Sequence, residues 1–480
     1  VLVASLIAAL ACGEQNVRPP NLILVVIDTA RADHFGSYGY GRDTTPHFDA
    51  FAREAILFEN AYATSCWTVP THASLFTGLL PISHQATQTT QRLDGKFHTL
   101  AELVAARGYQ TIAFSNNPWV SRRTNLVQGF EEVRQMWRRS PRTFGLGDPH
   151  PTNRAIDQWM ASLDSKRPFF LFVNFMEPHW PYRAPKRLQD RFVPAGTSEE
   201  DRERAGFGMI DWYVNREGIS DALLPVRESL YDAELAYADE ALGELIALLK
   251  SRGQWEGSVI AVTSDHGENL GEMQHQGHSF TLYDSTIRIP MALRRPGLEG
   301  LKGRDYGARR TEPVQLTDLF TTFAAASGAL DDLRRLSRDD PNVNRVTGSD
   351  LLARSTPQGR PVVAEYAYPA QFLPYFPEEA LRSNARLGSF KREIRSLQIG
   401  GEKLIWSSDG RHELYDVGRS QGPREFADVS RQSPDRVAAM LQQLDQILDS
   451  LRPATKASQP PPLEIDESRE QSLRALGYIR

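Results

Sequence analysis

Two apolar strings in this chain end on side chains that bind metals. Asn21–Ile27 (NLILVVI) is followed by Asp28, and Ser258–Thr263 (SVIAVT) by Ser264-Asp265-His266-Gly267-Glu268. Two carboxylates and an imidazole hold a divalent cation and leave a position open for a substrate. A lone Asp after a strand is more often a helix cap, so the Asp-His string is the more specific signal. Thr68 stands just before Pro70, and Pro is favoured in a first helical turn. Residues 71–77 are therefore expected as a helix closed by Gly78, with its positive end facing an incoming anion. A threonine hydroxyl is a poor nucleophile at neutral pH, but coordination to a cation lowers its pKa and delivers an alkoxide for in-line attack. Asp28, Thr68, Asp265 and His266 are thus the candidate metal ligands, with Thr68 the candidate nucleophile. His72, His179 and His278 are candidates to steady an anionic transition state or to protonate a leaving group. A single His is usually structural. His179 gains weight from Pro178-His179-Trp180-Pro181, and His278 from its place shortly after the Asp-His pair.

These residues need strands that bring them to one place. Besides the two strings above, 110–114 and Phe169–Phe175 are continuous apolar runs, as expected of strands buried on both faces of a parallel sheet. Helical patterns lie between them. Residues 100–107 open on Thr99 and Glu102 with capping-box spacing and end at Gly108. Residues 225–252 place Leu235, Ala238, Leu242, Leu245 and Leu249 at steps of three and four. Strand alternating with helix predicts an α/β fold, a mostly parallel sheet between helices. Ligands bind beyond the carboxyl ends of such strands. There the chain carries Asp28, Ser115-Asn116-Asn117, Glu177-Pro178-His179 and Asp265-His266. Residues 183–218 read as an irregular surface insertion. Short strands at 396–399, 403–406 and 413–415, with an amphipathic helix at 435–451, predict a small C-terminal α+β subdomain. The expected organisation is 1–20 leader and tether, 21–330 catalytic domain, 331–359 linker, 360–455 C-terminal subdomain and 456–480 tail.

Composition narrows the function. The 480 residues carry a net charge of −5 with 24% charged residues. No basic stripe suggests a nucleic-acid partner. Only Cys12 and Cys66 are present, so neither a disulfide framework nor a cysteine metal site is expected. The apolar run 1–11 is too short to span a bilayer, which takes roughly 20 residues. It ends Ala8-Ala9-Leu10-Ala11-Cys12-Gly13, a string that resembles a bacterial lipoprotein cleavage box. The expectation is an exported periplasmic or cell-envelope lipoprotein, touching membrane only through a lipid anchor on Cys12.

The string Cys66-Trp67-Thr68-Val69-Pro70-Thr71-His72-Ala73-Ser74-Leu75-Phe76-Thr77-Gly78 resembles the signature of the sulfatases within the alkaline-phosphatase superfamily, Cys-x-Pro-Ser-Arg-Ala-x-Leu-x-Thr-Gly. The resemblance extends to Asp28 with Asp33, to Asp265-His266-Gly267-Glu268, to 282–290, and to Lys403-Leu404-Ile405 with Glu413-Leu414-Tyr415-Asp416. It implies the alkaline-phosphatase/sulfatase fold, one divalent metal ion and a covalent intermediate on the signature residue. Composition and motifs leave the metal open among Ca, Mg, Mn and Zn. Several positions depart from the pattern. Thr68 replaces the residue that the family oxidises to formylglycine, and His72 replaces the signature Arg. Thr29 stands where many sulfatases have a second ligand Asp, and Ser115-Asn116-Asn117-Pro118 replaces a sulfate-binding Lys and His. The expected function is cleavage of an anionic ester, borne by a sulfated glycan or a phosphoester, through Thr68. A phosphodiesterase or phosphoryl-group transferase using Thr68, and a non-catalytic binding protein on the same scaffold, are the alternatives.

Overall fold

The four apolar runs form the middle of one eight-stranded sheet. This computed structural model describes residues 18–139, 150–206, 213, 221–297, 306–339, 346–353, 359–370, 372–418, 425 and 427–453. The strands are β1 (Asn21–Ile27), β2 (Ile56–Phe58), β3 (Gln110–Ser115), β4 (Glu132–Gln135), β5 (Phe169–Phe175), β6 (Ser258–Thr263), β7 (Met291–Arg294) and β8 (Arg309–Arg310), in spatial order β8-β2-β7-β6-β1-β5-β3-β4. Pairing is parallel throughout, except that β7 runs against both β6 and β2. Every residue of β1, β5 and β6 is buried. Successive strand side chains point to opposite faces, so both faces are covered, and that is why these segments read as unbroken apolar runs rather than alternating ones.

The covering helices follow the expected signals. Helix α1 spans Thr68–Thr77. Helix α2, Leu100–Ala105, opens on Thr99 and Glu102 with both capping-box hydrogen bonds formed. Helix α3, Leu224–Ser251, buries Leu235, Ala238, Leu242, Leu245 and Leu249. Helix α4, Leu316–Ala326, packs against α1 and α2, while α3 packs against Pro46–Ala52, Lys186–Phe192 and Glu199–Gly206.

Helix α1 stops at Gly78, whose φ is 70°. A Cβ there would fall 2.2 Å from Val346 Cγ1 and 2.5 Å from Phe320 Cδ1. Gly78→Ala therefore meets both a left-handed backbone and a packed neighbour. We expect it to lower stability by about 1–3 kcal/mol in urea or thermal unfolding. A shift within ~0.5 kcal/mol, ordinary for surface changes, would show that neither contact matters.

Toward the C-terminus, β9 (Val362–Tyr366), β10 (Ile394–Ile399), β11 (Glu402–Ser407) and β12 (Glu413–Asp416) form an antiparallel sheet in that order. Helix α5 (Pro434–Leu451) lays Met440, Leu444 and Leu448 on it. This sheet is tied to the main body by charge. The buried Lys403 Nζ lies 2.8 Å from Asp284 Oδ1 and 2.5 Å from Glu425 Oε1.

Two expectations about irregular segments do not hold. Within 183–218, Lys186–Phe192 and Glu199–Gly206 are helical, and Leu188 and Phe192, one turn apart, are buried against α3. The expected linker 331–359 begins inside a helix, Ala329–Asp339. Leu330 and Leu333 of that helix are buried, as is Leu351 further on. Arg334–Asp331 and Arg335–Asp332 pairs dress its outer face, so its composition looks like that of a loop although its periodicity is helical. The leader with Cys12 and the tail 456–480 lie outside the described residues.

Candidate active site

Strand register assembles the site. Val26 pairs with Thr263, and two more residues along both strands bring Asp28 level with Asp265. Helix α1 presents Thr68 at its first position, after an extended Trp67 that makes no side-chain cap. Thr68 Oγ1 lies 3.5 Å from His266 Nε2 and 3.4 Å from Asn117 Nδ2. Asp28, Thr68, Asp265 and His266 are all fully buried.

One oxygen of each carboxylate is committed to the protein. Asp28 Oδ2 accepts from Asn117 Nδ2 at 2.8 Å and Asn174 Nδ2 at 3.2 Å. Asp265 Oδ1 accepts from the backbone N–H of Thr29 at 3.2 Å and of His266 at 3.0 Å. The other oxygens, Asp28 Oδ1 and Asp265 Oδ2, are buried without a hydrogen-bond partner among the described residues. His266 Nδ1 lies 3.0 Å from the Gly267 carbonyl. Donation there puts the proton on Nδ1 and leaves the Nε2 lone pair facing the carboxylates. Ligand atoms of Asp28, Asp265 and His266 lie within 4.8 Å of one another.

This donor set fits a divalent cation. Burial pushes the Asp28 carboxyl well above its ordinary range, and the neighbouring Asp265 adds to the effect. Burial raises Asp265 to about 7 and holds His266 below its usual value. Two dry carboxylates this close resist ionising together unless a positive charge joins them. The hard oxygens suit Mg, Ca or Mn, and the imidazole admits Zn as well.

The three remaining histidines do not share one environment. His72 Nδ1 is 2.9 Å from the Thr68 carbonyl and 3.5 Å from Asp265 Oδ2, and its ring packs against the Phe76–Phe172 pair. His72, His179 and His278 are all buried. His179, His278 and His266 form a row with ring centroids 4.7 Å apart at each step. Burial pushes His72 and His179 down to about 3 and His278 well below its usual value. Glu268 Oε1 sits 3.6 Å from His278 Nδ1.

Several residues here were not singled out from sequence as site groups. Asn117 and Asn174 hold Asp28. The polar Asn174 inside the apolar run FFLFVNF was the available signal. Arg31 binds Asp33 through Nε and Nη2 at 3.0 and 2.8 Å, and its Nη1 donates to the Glu268 carbonyl at 3.1 Å. It thereby braces the loop after His266. Its guanidinium holds Asp33 well below the usual carboxylate range, so Asp33 is an ion-pair partner and not a member of the three-residue ligand group. The Tyr231 hydroxyl accepts from the Arg31 N–H and donates to the Thr29 carbonyl, both at 2.9 Å.

Comparison with known proteins agrees with this architecture. The sulfatase family model matches residues 20–329. An arylsulfatase of Clostridium perfringens is 22% identical over 365 residues, covering 63% of this chain and 74% of that protein. The crystal structure of a phosphonate monoester hydrolase of Agrobacterium radiobacter superposes with a TM-score of 0.68 at 20% identity, over 90% of this chain and 95% of that one. A protein solved with its substrate D-glucosamine-2-N,6-O-disulfate gives 0.69 at 17% identity, over 94% and 100%.

Proposed function

The chain belongs to the sulfatase family and is an ester hydrolase of that type, and on this premise we propose that it opens phosphate esters through a covalent phospho-Thr68. The observation that carries the reading is the position of Thr68 Oγ1, 3.5 Å from His266 Nε2 beside the three-residue ligand group. A divalent cation bound by Asp28, Asp265 and His266, with Thr68 as a fourth ligand, would supply the charge that lowers the pKa of the Thr68 hydroxyl.

The chain's own groups divide the remaining work. Thr68 oxygen attacks phosphorus as the bond to the leaving alcohol breaks, and the alcohol oxygen takes up a proton. Water then attacks the phosphorus of phospho-Thr68, and the departing Thr68 oxygen is reprotonated. His179 and His278, whose rings continue the row that begins at His266, are the groups assigned to exchange these protons. The first N–H groups of α1 lack intrahelical partners and face the anion. Asn117 steadies both Asp28 and the nucleophile. His72 Nδ1 donates to the Thr68 carbonyl and so fixes its ring against the first turn of α1.

The choice of phosphorus over sulfur follows from the nucleophile. A formylglycine hydrate expels sulfate by collapsing to an aldehyde, and a threonine sulfate has no such exit. Phospho-threonine is opened by water at phosphorus. Export, with a lipid on Cys12, belongs to the same proposal and rests on the sequence of the leader.

Paired assays of aryl phosphodiesters, phosphate monoesters and aryl sulfates, each with Mg, Ca, Mn and Zn, test the reading. We expect one phosphate class to exceed sulfate in kcat/KM by roughly tenfold or more. A preference for sulfate, or no hydrolysis of any ester by metal-loaded protein, would overturn it.

A further inference from the structure

Lys403 of the C-terminal sheet is joined to the metal loop and to the nucleophile strand through one short turn, and we propose that it is a positioning residue for the ester reaction. The turn is Asp284–Ile287, and its carbonyls hold both arms of the site. Thr286 accepts from the N–H of Gly267, the residue after the ligand His266, at 2.8 Å. Ile287 accepts from the Ala63 N–H, also at 2.8 Å. Arg288 and Ile289 then pair antiparallel with Tyr62 and Ala61, on the stretch of chain that runs directly into Thr68.

The fit on the metal side is close. A Cβ at Gly267 would fall 2.2 Å from the Ser285 carbonyl oxygen and 3.1 Å from Arg31 Cγ, so only glycine lets the two backbones touch. Ser285 Oγ donates to Asn269 Oδ1 at 2.7 Å, a second tie to the loop after His266. The Gly267 carbonyl in turn accepts from His266 Nδ1 at 3.0 Å, the bond that leaves Nε2 facing the carboxylates. A shift of the turn therefore moves the His266 imidazole and the approach to Thr68 together.

Asp284 fixes the turn to the sheet. Its Oδ1 accepts from Lys403 Nζ at 2.8 Å, and its N–H donates to Glu425 Oε1 at 3.0 Å. Glu425 Oε1 is also bound by Lys403 Nζ, so the amine and its second carboxylate grip Asp284 from two sides. Lys403 stands on β11, an inner strand paired with β10 and β12. Neighbouring strand residues face opposite ways. Leu404 packs with Leu444 and Leu448 of α5, and Lys403 faces the catalytic body. All three charged groups are buried. Such a network stabilises little compared with apolar residues of the same shape. What its hydrogen bonds supply is one fixed place for Asp284, where an apolar contact could slide. Lys403 acts through the turn, and the inference rests on the proposed roles of Thr68 and the ligand group, whichever ester is cut.

Two variants cut the link in different ways. Asp284→Ala frees the turn and leaves Lys403 with one carboxylate, a balanced pair. Lys403→Met combined with Asp284→Asn and Glu425→Gln removes all three charges together. Leu448→Ala is the control, because it loosens α5 on the other face of the sheet. Calorimetric titration with Mg, Ca, Mn and Zn measures metal affinity without any ester, and kcat and KM are taken on the aryl ester that the parent cleaves fastest. Below their melting temperatures, both link variants are expected to bind metal about tenfold more weakly and to lose kcat by about 10–100-fold, with KM little changed. Leu448→Ala is expected to melt earlier while keeping metal affinity and kcat. Parent-like metal affinity in the folded link variants, or equal losses in Leu448→Ala, overturns the proposal. A parent that prefers sulfate overturns the phosphate reading alone, since the metal affinities decide this one.

Discussion

Thr68→Ala is expected to fold normally and to lose turnover by roughly 10³-fold or more, the scale on which removing a covalent nucleophile acts. The side chain is fully buried, so losing its methyl and hydroxyl groups is expected to cost about 1 kcal/mol of stability without changing the fold. Its hydroxyl makes two long contacts, 3.5 Å to His266 Nε2 and 3.4 Å to Asn117 Nδ2, and α1 is held by the burial of Val69, Ala73, Leu75 and Phe76. Circular dichroism should therefore match the parent, and the melting temperature should fall by no more than a few degrees. Thr68→Ser keeps the oxygen and should retain a measurable fraction of activity. A Thr68→Ala protein with full turnover would remove this residue from the chemistry.

Asp265→Asn is expected to lose the metal while keeping the loop. Asparagine still offers Oδ1 to the N–H groups of Thr29 and His266. What it removes is the charge on the second oxygen, which has no protein donor among the described residues. In the parent, a divalent cation at about 100 times its Kd should raise folding stability by roughly 2.7 kcal/mol through mass action. In Asp265→Asn the same titration should leave the melting temperature unchanged, and the metal content after dialysis should fall to background. Equal metal content in the two proteins would rule out the ligand role.

The legible and illegible parts of this chain differ for physical reasons. Strands buried on both faces leave continuous apolar strings, so β1, β3, β5 and β6 and the polar residues at their ends could be read directly. Asp28, Asp265 and His266 follow from that rule, because a parallel sheet must gather its carboxyl ends. Asn174 could not be found that way, since it sits inside its strand and reaches Asp28 only through the pairing of β1 with β5. Arg31 and Tyr231 were hidden for a similar reason. Their roles depend on α3 crossing the start of the loop after β1, which no local pattern reports. The helix Ala329–Asp339 was concealed by its charges, although Leu330 and Leu333 carried its spacing. Three strands of the C-terminal sheet could be read from sequence, but its edge strand β9 could not.

Thr68 as the seat of a covalent intermediate is the claim on which the rest depends. Its most direct test is peptide mapping of protein quenched in acid during turnover of an activated aryl phosphodiester, whose good leaving group makes the first step fast and lets the intermediate collect. The expected result is a phosphoryl group on the peptide that contains Thr68, assigned to that side chain by fragmentation. Phosphorylation of a different residue, or turnover with no labelled peptide at any quench time, would contradict it.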